Sequence, residues 1–412
     1  MSATLAILGG AKVRSQPFAS WPVFGEAEEE LLVRALRSGK WGKLQGEEVA
    51  EFERRFAAMH GCKHGIAVVN GTVSLRIALM AAGIQADDEV IIPPYTFLAT
   101  ATAVVESNAV PVFADIDLET FNISPAAIEA AITPRTRAII PVHMGGQPAC
   151  MDAIMEVASR HGLTVIEDAA HAHAASYRGK PAGSIGHMGS FSFQSSKNLT
   201  CGEGGVVITP DDRLAEACRS IHNCGRIPGG VWYEHHVMAG NYRLGEFQGA
   251  VLNAQMGRLE EQTITRERNG QYLAGELRRI PGIYPQRRTA GCSRHSYHLF
   301  LLRIVASEFG ASRGVVLKAL QAEGIPICGG YAVPLYRQPL FLNKAFGPYL
   351  PDARKTLDYS KVRCPNCETI CADQGAWLEQ SIFLGSKEDM DAIAQAFQKV
   401  YEHRAALRNV QL

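Results

Sequence analysis

The chain carries a lysine in a setting that could make it a nucleophile. Phe191-Ser192-Phe193-Gln194-Ser195-Ser196-Lys197 runs from an apolar strand into a hydroxyl-rich loop, and the glycine-rich turn Cys201-Gly202-Glu203-Gly204-Gly205 follows. Partial desolvation there would lower the amine's pKa and free its lone pair, as a Schiff-base lysine requires. Val165-Ile166-Glu167-Asp168-Ala169-Ala170-His171 reads as a strand running into two acids, with a histidine just beyond. A strand-end acid can cap the next helix, or it can hold a protonated ring nitrogen. Val68-Val69-Asn70-Gly71-Thr72 reads as strand, small-residue turn and helix start. Free N–H groups and the helix dipole at such a turn attract an anion such as phosphate. Pro94-Tyr95-Thr96-Phe97 sits at another strand end, where an aromatic could stack on a flat ring.

Each feature alone is commonplace. Loop lysines are mostly solvated, and turns before helices occur everywhere. Their combination is specific. A phosphate cradle, a stacking aromatic, a strand-end Asp and a downstream Lys are what pyridoxal phosphate needs. The Asp would keep the pyridine nitrogen protonated, and the Lys would bind the aldehyde.

The elements that must position these residues follow a clear rhythm. Strand candidates are residues 65–69, 89–92, 110–114, 138–142, 163–167, 189–193 and 206–209. Several are apolar on both faces, as in a parallel sheet covered by helices. Helical stretches lie between them. Thr72–Ala82 is one; Ser124-Pro125 opens another with an N-cap and a first-turn proline; Met151–His161 is stopped by Gly162. This is an α/β domain with a large, mostly parallel seven-stranded sheet. Arg243–Arg268 is a charge-laced helical connector, and Pro281–Ser293 is turn-rich. Beyond it, a strand over Tyr297–Ile304 and helices over Ser312–Glu323 and Lys387–His403 form a smaller C-terminal α+β domain. Residues 1–264 are read as an N-terminal arm, large domain and connector, and residues 265–412 as the small domain.

Composition narrows the partners. The 412 residues carry 41 Lys+Arg and 41 Asp+Glu, so a bulk nucleic-acid binder, which needs a basic excess, is disfavoured. No basic region precedes the short apolar start, and the apolar run at Val90-Ile91-Ile92 is broken by Pro93-Pro94. Neither a signal peptide nor a membrane span is expected, and the compartment is read as cytoplasmic. The 10 cysteines are then reduced thiols. Cys364-Pro-Asn-Cys367 with Cys371 lacks the second CxxC pair of a closed zinc site, so no metal is expected.

The ordered motifs also resemble a known family. Asn70-Gly71-Thr72, Pro94-Tyr95-Thr96-Phe97, Glu167-Asp168-Ala169-Ala170-His171, Ser192 to Thr200 with Gly202-Glu203-Gly204-Gly205, and Gly240-Asn241-Tyr242-Arg243 resemble the DegT/StrS-type sugar aminotransferases. These are pyridoxal-phosphate enzymes of fold type I, and the likeness runs from about Trp21 to the C-terminal helix. The resemblance implies that Lys197 forms the Schiff base and moves the proton. It implies that Asp168 pairs with the pyridine nitrogen, His171 approaches the ring hydroxyl and Phe97 stacks on the ring. Gly71, Thr72 and Ser192 would hold the phosphate. Asn241 would reach the phosphate of a neighbouring subunit, making the enzyme a homodimer with shared sites. Trp41, His298 and Tyr331 would line the acceptor pocket.

Asp168-Ala-Ala-His-Ala-His173, His222-Asn-Cys-Gly-Arg226 and Ala376-Trp377-Leu378 are similar to the branch with amino-cyclitol aminotransferases and 3-amino-5-hydroxybenzoate synthase. The implied reaction moves an amino group from glutamate or glutamine to a keto-sugar or keto-cyclitol, with pyridoxamine phosphate between the half-reactions. A dehydrating, aromatising enzyme, a nucleotide-linked keto-sugar aminotransferase and a non-catalytic regulatory protein are the alternatives. Many nucleotide-sugar members have His where this chain has Tyr336, which points away from that acceptor. Dehydrating deoxysugar members carry His at the position of Lys197, which points away from that reaction. A nicotinamide cofactor is disfavoured because no G-x-G-x-x-G follows the early strands.

Overall fold

A computed structural model describes residues 4–409. Seven strands form the main sheet: β1 (His64–Val68), β2 (Glu89–Ile92), β3 (Val110–Phe113), β4 (Thr136–Ile139), β5 (Thr164–Asp168), β6 (Met188–Ser192) and β7 (Gly205–Thr209). Their order is β1-β7-β6-β5-β4-β2-β3. Only β7 runs against its neighbours; the other pairings are parallel. All seven strands read from the sequence are present, with ends displaced by a few residues.

Register aligns the strand ends that matter. Gly205 of β7 faces Val68 of β1 on one side and Ser192 of β6 on the other. Asp168 of β5 faces Ser190 of β6. Both sheet faces are covered, as the continuous apolar runs require. On one face Ile66, Val68, Ile166 and Val207 pack with α3 (Gly71–Ala81), α4 (Ala99–Glu106) and α7 (Asp212–His222). On the other, Ala67, Phe191, Val206 and Ile208 meet α2 (Glu48–Met59) and the first half of α8 (Glu246–Leu277), against which α1 (Glu26–Ser38) also lies. Alternate residues go to opposite faces, as the pleat dictates. Ser124 caps α5 (Pro125–Ala131), and Gly162 ends α6 (Met151–His161) in the left-handed conformation at φ 64°.

A second core lies beyond. Ile283–Pro285, Leu299–Ile304 and Gly375–Glu379 form a three-stranded antiparallel sheet. It packs with the helices Arg313–Ala322 and Lys387–Glu402 and with Leu273, Ala274 and Leu277 of α8. The connector is therefore longer than the sequence suggested, and it runs unbroken through residues 264 and 265. The described part of the N-terminal arm packs on this second core through Leu5, Val13 and Phe18. The stretch read as turn-rich contains the strand Ile283–Pro285. Cys364, Cys367 and Cys371 are buried in the main core, with the last two sulphurs 3.9 Å apart. Among the described residues no helix is long and apolar enough to cross a membrane.

The two acids at the end of β5 have separate fates. Glu167 is fully buried. It accepts from His143 Nε2 at 2.8 Å and from the amides of Gly183, Ile185 and Gly186 at 2.6–2.7 Å. Burial alone would raise its pKa; the His143 hydrogen bond and charge and the amides together hold it below 4.5. Removing the carboxylate strands these donors in a dry interior. We expect Glu167→Ala to cost about 3–5 kcal/mol in urea unfolding. The native pKa lies below the unfolded one, so this contribution is complete above 4.5 and is lost as pH falls through the lower native value. Unfolding midpoints measured against pH, wild type beside variant, would show this loss only in the wild type.

Candidate active site

The parallel strand ends open on a cavity of about 690 Å³. Its first wall is the turn from β1 into α3. Asn70 caps the helix by accepting from the Val73 amide at 2.9 Å. The amides of Gly71 and Thr72 precede the first intrahelical bonds, so they point outward without helical acceptors. The Ser192 side chain stands against them. A Cβ on Gly71 would lie 2.6 Å from the Ser192 Cβ, so only glycine lets the helix start this close to β6. Two amides, two hydroxyls and a helix dipole form a cradle for a dianionic group.

Asp168 forms the floor. It is buried, with one oxygen accepting from Thr100 Oγ1 at 2.8 Å and the other from the Ala170 amide at 3.2 Å. Burial raises its pKa more than these bonds and the Lys197 charge lower it. A cationic partner in the cavity would relieve that cost.

Lys197 follows β6 in a loop held from outside. Trp21 Nε1 donates to the Ser195 carbonyl at 2.9 Å, and Gln380 Nε2 donates to the Ser196 carbonyl at 3.5 Å. Gln380 Oε1 in turn accepts from Arg266 Nε and Nη2 at 2.9 and 2.6 Å. Arg266 is completely buried on α8, its guanidinium 5.1 Å from the Trp21 ring centre. Burial pulls Arg266 down to about 9. The same effect brings Lys197 down to about 8, against the opposing pull of Asp168.

A polar chain backs the opposite wall. His171 and His298 pack with ring centres 4.2 Å apart, and burial keeps both well below 6.5. His298 Nδ1 lies 3.0 Å from Asn198 Oδ1, and Asn198 Nδ2 donates to the Ser296 carbonyl at 2.8 Å. Ser296 Oγ donates to the His171 carbonyl at 2.9 Å. Phe97 stands at the mouth, 63% exposed although aromatic. Tyr331 meets Trp377 edge-on at 5.2 Å.

Gly71, Thr72, Phe97, Asp168, His171, Ser192, Lys197, His298 and Tyr331 thus line one cavity, as the sequence suggested. Two residues do not. Trp41 is half-exposed and packs on Phe247 at 5.9 Å, and Asn241 is exposed on the loop that pairs with Asn223. Tyr336 also lies elsewhere, in the main core, where its hydroxyl donates to Glu368 at 2.6 Å. The fold adds Thr100, Asn198, Ser296, Gln380 and Arg266 to the residues that the sequence motifs mark. Thr100 is one helical turn past Thr96, and Asn198 adjoins the lysine, so these two had a local signal. Arg266 looked like one more charge on a polar helix.

Residues 23–373 match the DegT/DnrJ/EryC1/StrS aminotransferase family. The chain belongs to this family. It is therefore an aminotransferase, and members of the family with related activities resemble it along nearly their whole length. It is 39% identical to L-glutamine:2-deoxy-scyllo-inosose aminotransferase of Streptomyces kanamyceticus, over 98% of this chain and 99% of that one. The crystal structure of 3-amino-5-hydroxybenzoic acid synthase superposes with a TM-score of 0.85 at 36% identity, covering 95% of this chain and all of the other. The NtdA structure from Bacillus subtilis, solved with its bound cofactor PMP, superposes with a TM-score of 0.80 at 25% identity, over 95% and 87% of the two chains.

The lowered amine makes Lys197 stand out in this member of the family. Trapping with formaldehyde and cyanoborohydride, read by peptide mass spectrometry, should reach half its maximal rate at Lys197 near pH 8. Ordinary lysines should reach it near 10.5. Asp168→Asn removes the charge that raises Lys197, so its midpoint should move lower still.

Proposed function

We propose that this aminotransferase uses pyridoxal 5'-phosphate to move the amino group of glutamine or glutamate to a keto-cyclitol or keto-sugar. The cavity's donor set fits that cofactor. The turn at Gly71 and Thr72 with Ser192 suits its phosphate, Asp168 its protonated ring nitrogen, and the exposed face of Phe97 its ring. When bound, pyridoxal phosphate supplies an aldehyde that takes up the amino group and a ring that accepts the electron pair of the broken C–H bond.

The chain's own residues supply the rest. With the cofactor bound, Lys197 would hold its aldehyde, and its freed amine would carry the proton from the donor's α-carbon to the carbon that bore the aldehyde. A working amine must be free of its proton near neutral pH, and the desolvated Lys197 meets that need. Asp168 would keep the cofactor's ring nitrogen protonated. His171, held neutral by burial, would face the ring hydroxyl. The walls orient both substrates against one ring in turn and exclude water. Asn241 and Trp41 lie outside their own cavity, and in our reading they serve the site of a second copy, so the enzyme is a homodimer. We further assign residues 1–264 to the cofactor domain and 265–412 to the small domain, and place the enzyme in the cytoplasm.

The observation that carries the reading is the shared cavity of Lys197 and Asp168 at the N-terminus of α3. The charge of the walls bears on the acceptor. Among the described lining residues Lys197 is the only Lys or Arg, whereas Asp168, Glu203 and Glu379 are acids. This supports an uncharged, hydroxyl-rich acceptor over a phosphorylated or nucleotide-linked one. The second reading is a dehydrating enzyme like 3-amino-5-hydroxybenzoic acid synthase, favoured by the close superposition on that structure.

With added pyridoxal phosphate the protein should show a visible band that glutamine or glutamate bleaches and a free keto-cyclitol restores. Lys197→Ala should lose the band and at least roughly 10³-fold in turnover. Full turnover in that variant would refute the assignment. Phosphorylated and nucleotide-linked ketoses should restore the band poorly, and an ultraviolet-absorbing aromatic product would favour the second reading.

A further inference from the structure

The histidine wall has a feature that the proposed chemistry does not use. Asn198 is buried beside Lys197, and its amide orientation is fixed from two sides. The Ser296 carbonyl, 2.8 Å away, can only accept, so the Asn198 atom facing it is the NH₂ group. Its Oδ1 must then face His298 Nδ1, 3.0 Å away, and an amide oxygen can only accept. The proton of a neutral His298 is therefore on Nδ1. Nε2 carries the lone pair. It has no protein partner among the described residues, and it is not among the sealed, unpaired atoms of the interior. His298 lines the cavity, so its open edge is the cavity side.

We propose that Asn198 locks His298 as the Nδ1–H tautomer, so that Nε2 stands in the cavity as a fixed hydrogen-bond acceptor for a hydroxyl of the acceptor substrate. Asn198 is a positioning residue, and His298 is the specificity-determining contact. The inference rests on the hydroxyl-rich acceptor assigned above. A fixed acceptor favours a substrate with a hydroxyl at that point and penalises its deoxy analogue, which leaves a buried lone pair unpaired. The opposite tautomer would present an N–H donor and prefer an oxo or ether group there. The packed rings of His171 and His298, 4.2 Å apart, and the Ser296 bond to the His171 carbonyl hold the acceptor edge in place.

The tautomer can be read without turnover. Holoenzyme labelled with ¹⁵N-histidine should give a pyrrole-like Nδ1 and a pyridine-like Nε2 for His298, assigned by loss of the signals in His298→Gln. Asn198→Asp retains an acceptor at Nδ1 and should keep the pattern. Asn198→Leu, of similar volume, should scramble it. In kinetics, Asn198→Leu should raise the acceptor's KM roughly tenfold more than the donor's, with Asn198→Asp recovering most of the loss. A pyridine-like Nδ1 in the wild type overturns the inference, as does an equal rise in both KM values. Because the NMR pattern needs no acceptor, it stands or falls separately from the substrate reading.

Discussion

The site depends on holding an amine partly out of water. Water stabilises an ammonium far better than a protein interior does, so a half-buried lysine surrenders part of its charge preference. That loss is the useful property, because it leaves Lys197 able to lend its lone pair at about pH 8. A loop carrying such a group would swing out to solvent if it could. Trp21 and Gln380 prevent this by bonding the carbonyls of the two preceding serines. Their grip rests on Arg266, itself a buried cation on the helix that joins the two cores. The free energy for holding one desolvated lysine is thus gathered from the arm, the connector and the small sheet together.

A similar division of labour separates neighbouring acids. Glu167 and Asp168 are adjacent, yet the pleat sends them to opposite faces of β5. Glu167 is saturated by three amides and a histidine and is a fixture of the fold. Asp168 receives only two bonds and is left electrostatically unsatisfied, which suits it to a cationic partner. Glu167 thus anchors the loop at Gly183, Ile185 and Gly186, while Asp168 is left facing the cavity.

Most of this was readable from the sequence where the signal was local. Strands showed as apolar runs and helix ends as Ser124-Pro125 and Gly162, and both motifs and cavity agree at Gly71, Asp168 and Lys197. Long-range partners were not readable. Nothing near Arg266 marks it as buried, because its companions Trp21 and Gln380 are distant in the chain. Ser296 differs from other polar residues only by what the fold brings opposite it. Trp41 shows the reverse case, having family-like surroundings but no place in its own chain's cavity, whereas Asn241 was expected at a neighbour's site and is likewise absent from its own.

The unbroken course of α8 sets a rule for altering this protein. It enters one core through Leu252 and Leu259 and leaves through another at Leu273 and Leu277. Each residue of an α-helix advances the azimuth by about 100°, so one inserted or deleted residue between those anchors would turn Arg266 or the second core out of phase. The helix works as a ruler whose length is quantised. Chimeras that exchange small domains between relatives should therefore be joined outside residues 246–277, or swap that helix whole.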